Sequence, residues 1–234
     1  MNPQILGTDI ALSGARMLVF YPSGKESGSP EFEREAKAFK NFYSVPIGNM
    51  CLIPDNCDRD QRKRMVLSHL RKFVDSDIRA VVFFCHGWKT GFWMGWNLSN
   101  IKALATDLCM KSSDITVVLY SCSTGSGDLP VDMDYPGPGA EGGLADHLRD
   151  ALEARGKRGR VVAHTTAGHT TSNPHAIRLE SSGDPAVRGE TVAYISPKSK
   201  YWKSWKDKLR NTTLRFLFLF ISKTQLLDEL KVKS

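Results

Sequence analysis

Residues 78–87, IRAVVFFCHG, contain the stretch that decides the fold expected for this chain. Its first eight residues are almost uniformly apolar, which is typical of a central strand of a parallel sheet because such a strand is buried on both faces. The strand then stops at a His-Gly pair. A second run of the same kind, ITVVLY at residues 115–120, stops at a Ser-Cys pair. The two runs predict two buried strands of one sheet.

Around these two runs the chain alternates between strand and helix patterns. Further strands are predicted at residues 16–21, 50–53, 160–163 and 191–195. Helices are predicted, from apolar residues at helical spacing, at residues 31–43, 59–74, 98–110 and 144–155. The alternation predicts an α/β fold, in which a mostly parallel central sheet of about six strands has helices on both faces and forms a three-layer sandwich.

The composition is that of a globular protein with one sizeable core. The chain has 234 residues, of which 41% are hydrophobic and 24% charged, and this excludes an intrinsically disordered chain. We expect one α/β domain over residues 1–195, and a basic and apolar helical extension over residues 196–234 that packs on the same domain. The net charge of +7 is spread along the chain, so solvated helix faces explain it better than a nucleic-acid surface does.

Targeting and redox features predict a cytoplasmic protein. No charged-then-apolar leader opens the chain, and the longest apolar run, within residues 214–221, is far shorter than the ~20 residues that span a bilayer. The five cysteines include no C-x-x-C pair, so neither a zinc ribbon nor a thioredoxin-like site is indicated. We therefore expect reduced thiols, one of which is available as a nucleophile.

His86 and Cys122 fall where ligands bind in sheets of this kind, outside the carboxyl ends of the strands. The two residues are thirty-six positions apart, which leaves room for one loop and one crossover helix and makes their strands neighbours ~5 Å apart. A thiolate attacks a carbonyl when one group removes its proton and another holds the developing oxyanion. We therefore predict Cys122 as the nucleophile and His86 as its base. Gly87 has no Cβ to keep a substrate away, so the Gly87 and Cys122 amides are the expected oxyanion donors.

An apolar strand ending in His-Gly, a crossover helix, and an apolar strand ending in a small residue and Cys resemble the caspase, metacaspase and gingipain clan of cysteine peptidases. Residues 121–127, SCSTGSG, are most similar to the Cys-x-Ser-Gly loop of metacaspases. The resemblance covers residues 16–163 in the order of elements, but in motif only residues 81–87 and 117–127. It implies a caspase-like sandwich, a Cys-His dyad without an obligatory third residue, and hydrolysis of peptide bonds through an acyl-enzyme.

Residues around the dyad are predicted to contact a polypeptide substrate. Members of this clan carry an acidic residue or a glutamine two positions before the cysteine, where it shapes the substrate pocket. This chain has Tyr120 there, which leaves the cleavage specificity open. The residues expected to line the substrate site are Tyr120, Ser121, Asp128, Thr165 and His169.

Two loops next to the dyad have more than one interpretation. The loop after Cys122 carries Asp128, Asp132 and Asp134. We predict no cofactor and no metal, with calcium as the alternative because some metacaspases use that ion, although the spacing differs from an EF-hand loop. The loop after Gly87 carries four aromatic residues that either grip an extended peptide or cap the sheet edge, namely Trp88, Phe92, Trp93 and Trp96.

Three other functions stay open. The first is an α/β-hydrolase-like serine hydrolase using Ser123, because residues 121–125 approximate the G-x-S-x-G elbow, although that fold needs two strands between its oxyanion strand and its nucleophile. The second is a catalytically inactive caspase-like binding module, favoured by the unusual Cys85 and Tyr120. The third is nucleic-acid binding by residues 201–206, where aromatic residues alternate with lysines, but core packing explains that pattern better.

Overall fold

The computed structural model of this chain describes residues 13–24, 29–73, 77–109, 112–127, 142–167, 176–183 and 190–195. Within these ranges the chain forms nine β-strands and four α-helices. The strands are β1 (Met17–Ser23), β2 (Met50–Pro54), β3 (Ala80–Phe84), β4 (Gly87–Trp88), β5 (Gly91–Phe92), β6 (Asp114–Tyr120), β7 (Arg158–His164), β8 (Ala176–Glu180) and β9 (Glu190–Ile195). The helices are α1 (Ser29–Tyr43), α2 (Arg59–Arg71), α3 (Ile101–Cys109) and α4 (Leu144–Glu153).

Seven of the strands form one central sheet, in the order β2-β1-β3-β6-β7-β8-β9. The first five are parallel to one another, and β8 is antiparallel to both of its neighbours, β7 and β9. Six strands therefore run in one direction and one runs against them. The predicted α/β fold with a mostly parallel sheet is confirmed, with seven strands in place of about six.

The sequence prediction missed three short strands. β8 spans five residues, AIRLE, in which Ile177 and Leu179 are buried and alternate with the less buried Arg178. This alternation is the signature of a strand, but Arg178 interrupts the apolar residues, so the segment lacks the continuous apolar run from which the other strands were predicted. β4 and β5 have two residues each and pair as a hairpin within the segment that we predicted as a loop. Two-residue strands carry no periodic signal, so the sequence pattern could not predict this hairpin.

Helices α2, α3 and α4 cover one face of the central sheet. Residues at every second strand position belong to the core on this face, for example Phe83 in β3 and Leu119 in β6. Leu104 of α3 and Leu148 of α4 are buried in the same core. This arrangement follows from the alternation of side chains along a strand, which sends odd and even positions to opposite faces.

Helix α1 covers the other face. Its residues Phe32, Ala36, Phe39 and Tyr43 are all at most 4% exposed, and they follow the helical spacing that predicted an apolar stripe here. The Phe39 ring meets the Phe84 ring of β3 with centroids 5.7 Å apart. Since Phe84 and Phe83 are consecutive in one strand, α1 packs on the face opposite to α2, α3 and α4.

Arg160 of β7 connects three adjacent strands by ion pairs. It is 8% exposed, and its guanidinium contacts Asp114 of β6 at 2.5 Å and Glu180 of β8 at 3.0 Å. A buried guanidinium needs such partners, because an unpaired charge in the interior is strongly destabilising. Arg160 therefore ties the antiparallel strand β8 to the parallel part of the sheet.

None of the helices in these ranges is long and apolar enough to cross a membrane. Residues 196–234, for which we predicted a helical extension, lie outside the described residues, and so does the domain boundary predicted there.

Candidate functional site

The two predicted catalytic residues follow directly on neighbouring strands. β3 and β6 pair in parallel with Phe84 opposite Tyr120, and the Cys85 amide donates to the Tyr120 carbonyl at 3.2 Å. His86 and Cys122 each lie two residues beyond this last pair, at the carboxyl ends of the two strands. Because β3 and β6 are parallel and adjacent, both residues lie on the same rim of the sheet.

Contacts at the preceding positions show which way the His86 side chain lies. The Cys85 thiol meets the Ser121 hydroxyl at 3.3 Å, and Cys85 belongs to the core on the face of α2, α3 and α4. His86 lies on the other face, where its ring meets the Phe32 ring of α1 edge-on, with centroids 5.0 Å apart. Cys122 is partly exposed. The base candidate thus stands at the rim beneath the first turns of α1.

Gly87 holds the His-Gly segment directly against the segment that carries Cys122. A Cβ on Gly87 would lie 2.6 Å from the Ser121 Cβ, 2.7 Å from Thr124 Cγ2 and 3.0 Å from the Cys122 carbonyl oxygen. Two of these distances are shorter than contacts between non-bonded carbon atoms, so only glycine allows this approach. The absence of a side chain at residue 87 is what brings the two candidate catalytic segments into contact.

The hairpin that begins at Gly87 does not use the Gly87 amide. The Trp93 amide donates to the His86 carbonyl at 2.9 Å, and Gly87 is paired with Phe92. In an antiparallel ladder this places Gly87 and Phe92 in a non-hydrogen-bonded pair, because the bonds close around the flanking residues. The amide is therefore available as a donor outside the hairpin.

Cys122 lies in a tight turn, and the next residue in the chain, Ser123, has a strained backbone. Ser123 has φ of 56°, in the left-handed region that non-glycine residues rarely adopt. Its carbonyl accepts from the Ser126 amide at 3.1 Å and from the Ser126 hydroxyl at 2.6 Å. The Thr124 hydroxyl donates to the Ser121 carbonyl at 2.9 Å. These bonds stabilise the turn against the strain, which is of a kind that clusters at functional sites.

The same turn is anchored to the end of β7. The Ser123 amide donates to the Thr166 carbonyl at 3.0 Å, and the Gly125 amide donates to the His164 carbonyl at 2.7 Å. This anchor could not be predicted from the sequence, because the acceptors are backbone carbonyls and carry no residue-specific signal. The position of Cys122 therefore depends on three strands, β3, β6 and β7.

The two cysteines at the rim differ in accessibility. Cys85 is fully buried, and burial raises the pKa of its thiol to about 12. Cys51 is buried as well, and burial raises its pKa to about 11. Such thiols stay protonated and inert at neutral pH. None of the five cysteines, all of which lie within the described residues, forms a disulfide, and of the two at these strand ends Cys122 is the one that is partly exposed.

Tyr120 and Ser121, both predicted to line the substrate site, are each 1% exposed. The Tyr120 ring stacks on Phe84 with centroids 4.5 Å apart, and burial raises the pKa of its phenol well above the usual value. Ser121 is held by the Cys85 thiol. Both residues form the floor beneath the rim and not an open surface.

Thr165, the third predicted substrate residue that the structure describes, is 7% exposed and lies just beyond β7, next to the anchor of the Cys122 turn. Its hydroxyl oxygen is buried and has no hydrogen-bond partner in the described part of the chain. A buried unpaired hydroxyl is costly, which makes this atom a candidate contact for a substrate polar group. Asp128 and His169 lie outside the described residues.

A metal site was predicted only as an alternative, and its acidic loop at residues 128–134 lies outside the described ranges. Among the residues that are described, no group of three or more His, Cys, Asp or Glu side chains is arranged to hold a metal ion.

Comparison with known proteins gives no family for this chain. No family model matches it, and no curated protein is similar to it at a significant level.

Proposed function

We propose that this protein is a cysteine endopeptidase in which Cys122 is the nucleophile and His86 is the general base. The observation that carries the proposal is the close approach of the two candidate segments, since a Cβ added at Gly87 would lie only 3.0 Å from the Cys122 carbonyl oxygen. The parallel register of β3 and β6, which ends both strands at one rim, supports it.

Peptide hydrolysis would begin when a substrate carbonyl aligns with the sulfur. The His86 imidazole takes the proton of the Cys122 thiol, the sulfur attacks the carbonyl carbon, and the carbonyl oxygen becomes an oxyanion. The imidazolium then protonates the leaving amine as the carbon–nitrogen bond breaks and the thioester forms. A water molecule, deprotonated by the same imidazole, then attacks the thioester carbon. The carbon–sulfur bond breaks, the peptide acid is released, and the imidazolium returns the proton to the Cys122 sulfur. No cofactor is required for these steps.

The oxyanion would be held by the Gly87 and Cys122 backbone amides. Gly87 suits this role because the β4–β5 hairpin leaves its amide unused and because no side chain covers it. An oxyanion donor contributes about 2.7–4 kcal/mol of transition-state stabilisation when it is held in place before the reaction. The bonds that fix the Ser123 turn would hold the second donor in place.

A caspase-like fold and a polypeptide substrate belong to the same proposal. The strand order with β3 beside β6 and one crossover helix between them supports the fold. A reduced, cytoplasmic environment is proposed because the chemistry requires a free thiol. The aromatic floor made by Tyr120 and Phe84 differs from the acidic or amide residue of the clan, so the cleavage specificity is a separate question for experiment.

The experiment is a peptide-library digest by the wild type and by Cys122→Ala, with Cys57→Ala as the matched control, since Cys57 is also a partly exposed thiol. We expect cleavage by the wild type and by Cys57→Ala, and none by Cys122→Ala. Cleavage that survives Cys122→Ala would refute the proposal. A fully folded wild type that cleaves no peptide and whose Cys122 does not react with iodoacetamide would favour an inactive binding module.

A serine hydrolase using Ser123 is the second candidate, because the positive φ of Ser123 resembles the strained nucleophile of an elbow turn. Against it, β3 and β6 are adjacent, without the intervening sheet strands of that fold in the described segment between them. A fluorophosphonate probe that labels wild type and Cys122→Ala equally, and fails with Ser123→Ala, would establish this candidate in place of the first.

A further inference from the structure

A cleft of about 350 Å³ lies between the start of helix α2 and the aromatic hairpin that follows His86. Arg59 and Arg62, from the first turn of α2, form one side. Trp88 and Trp93 are among the residues of the other side. Trp88 directly follows Gly87, the candidate oxyanion donor, so the cleft begins beside the candidate active site.

The hairpin side of the cleft is fixed by hydrogen bonds. The Phe92 amide donates to the Trp96 carbonyl at 3.0 Å, and the Leu98 amide donates to the Thr90 carbonyl at 3.1 Å. Gly95 has φ of +108°, and a Cβ there would lie 2.8 Å from the Arg59 carbonyl oxygen. This glycine therefore lets the loop rest on α2. The cleft is formed before any ligand arrives, which lowers the entropic cost of binding.

Within the described part of the chain, both arginines keep unused donors and have no carboxylate partner in an ion pair. Arg59 Nε donates to the Gly95 carbonyl at 3.0 Å, and Arg62 Nη1 donates to the Cys57 carbonyl at 2.7 Å. Arg62 also lies over the Trp93 ring, 4.3 Å from its centroid. Each guanidinium has five N–H donors, and Arg62 Nε is buried without a partner within the described residues. Within those residues neither arginine forms an ion pair.

The position of Arg59 and Arg62 in the first turn of α2 adds to the positive potential in the cleft. The N-terminal end of a helix carries partial positive charge, so arginines in the first turn of α2 are unfavourable there by a few tenths of a kcal/mol or more. The Asp58 carboxylate is engaged in the capping box with Gln61. The Asp60 carboxylate pairs with Lys63 at 2.6 Å and is 68% exposed. An anion bound in the cleft would meet the positive charge of Arg59 and Arg62, of which that of Arg59 is partly offset by Asp60.

The other side of the cleft supplies apolar surface. Trp88 is 48% exposed, and Trp93 is partly exposed behind Arg62. Large exposed aromatic rings beside arginines are typical of sites that bind protein segments. The suitable ligand therefore has carboxylates for the guanidiniums and apolar side chains for the rings.

We propose that this cleft, defined by Arg59, Arg62, Trp88 and Trp93, binds an acidic segment of a polypeptide, with carboxylates on the arginines and an apolar side chain on Trp88. Its use as a docking site for substrates rests on the proposed peptidase function, since Trp88 of the cleft directly follows Gly87, the candidate oxyanion donor. The sequence left two roles open for the aromatic loop after Gly87, to bind a peptide or to cap the sheet edge. This proposal assigns it the first.

The test measures binding of a fluorescent peptide, acetyl-Glu-Leu-Glu-Glu-Leu-Glu-amide, to the full chain carrying Cys122→Ala, by anisotropy. Peptides with Gln or Lys at every Glu position are the ligand controls, and inorganic phosphate is a competitor. We expect Arg59→Gln with Arg62→Gln to weaken binding on the order of tenfold. The matched control is Arg64→Gln, which removes the same charge from an exposed position of α2 outside the cleft and should leave binding unchanged.

Arg59→Gln alone is the second variant, because Arg62 also holds the Cys57 carbonyl and its replacement can perturb the loop. The proposal is overturned if the Gln peptide binds as tightly as the Glu peptide, if Arg64→Gln weakens binding as much as Arg59→Gln, or if millimolar phosphate displaces the peptide completely. The last result would indicate a simple anion site. Since binding is measured without the nucleophile, a loss of peptidase activity and a loss of docking are separate results.

Discussion

Two successive positions at the paired ends of β3 and β6 have opposite properties. At the first, the Cys85 and Ser121 side chains meet at 3.3 Å inside the core. One residue further, His86 lies at the rim against Phe32, and Cys122 is partly exposed. Because side chains alternate across a sheet, a single step along the strands separates a sealed thiol from an accessible one. Register therefore decides which of these two cysteines is accessible.

The largest expected effect of this difference is in alkylation rate. A thiol whose pKa is about 12 has at least a thousandfold less thiolate at neutral pH than an ordinary thiol, and burial adds to the protection of Cys85. We expect iodoacetamide to label Cys122 in the native protein and Cys85 only after unfolding. Peptide mapping by mass spectrometry, with and without guanidinium chloride, checks this. Equal native labelling of both cysteines would contradict the assigned register.

The next largest effect is expected from Gly87→Ala. The added methyl group would force the His-Gly segment away from Ser121 and Thr124, which are 2.6 and 2.7 Å from the ideal Cβ position. We expect a loss of stability of about 1–3 kcal/mol and a drop in peptidase activity of about a hundredfold.

Urea unfolding and peptide turnover measure the effects of Gly87→Ala, with Gly48→Ala as the control, because a Cβ at Gly48 meets nothing within 4 Å. An active and fully stable Gly87→Ala protein would show that the two segments are not in contact.

A smaller effect is expected in the dependence of stability on pH. Burial raises the pKa of Cys85 to about 12, so the folded protein keeps a proton that the unfolded chain releases above about pH 9. Stability from this group is therefore complete below about pH 8 and is lost as the pH rises towards about 12. Cys85→Ala should lose less stability than the wild type between about pH 8 and about pH 10, by about 1 kcal/mol.

Guanidinium chloride unfolding of Cys85→Ala and of the wild type, at about pH 8 and at about pH 10, measures this difference in stability. Val81→Ala, which also removes volume from the core without removing a thiol, should keep the dependence of the wild type. An identical slope for Cys85→Ala and the wild type would mean that the Cys85 thiol titrates normally.

The smallest effect is expected at Ser123, whose φ of 56° favours glycine. Ser123→Gly should relieve the strain and raise stability by about 0.5–1 kcal/mol, whereas Ser123→Val should lower it. Thermal unfolding of the two variants measures the difference. If Ser123→Gly destabilises the protein instead, the side chain has a role that outweighs the backbone strain.

The sequence predicted the central part of the fold well, because long apolar runs give a strong signal. β3 and β6 were expected from continuous apolar residues, and the apolar stripe of α1 was expected from Phe32, Ala36 and Phe39. The predicted end of α2 was wrong, because this helix stops at Arg71 and not at residue 74. Its start was predictable, since Asp58 and Gln61 form a capping box in the structure.

The arrangement of the candidate site could be predicted only in outline. Sequence spacing indicated that His86 and Cys122 share a rim, because one crossover makes their strands neighbours. The close contact of Gly87 with Ser121 and Thr124 depends on tertiary packing and has no signature in the chain. The same holds for the cleft beside Trp88, whose arginines come from a helix that precedes β3 in the sequence.

The ion pairs of Arg160 have a consequence for the accuracy of the candidate site. If β7 slipped by one residue against β6 and β8, the buried guanidinium would leave both Asp114 and Glu180, at a cost of several kcal/mol. The same slip would carry the Thr166 carbonyl away from the Ser123 amide that it holds. A buried charge in β7 therefore fixes the register of that strand, and with it the backbone bond that anchors the residue after Cys122.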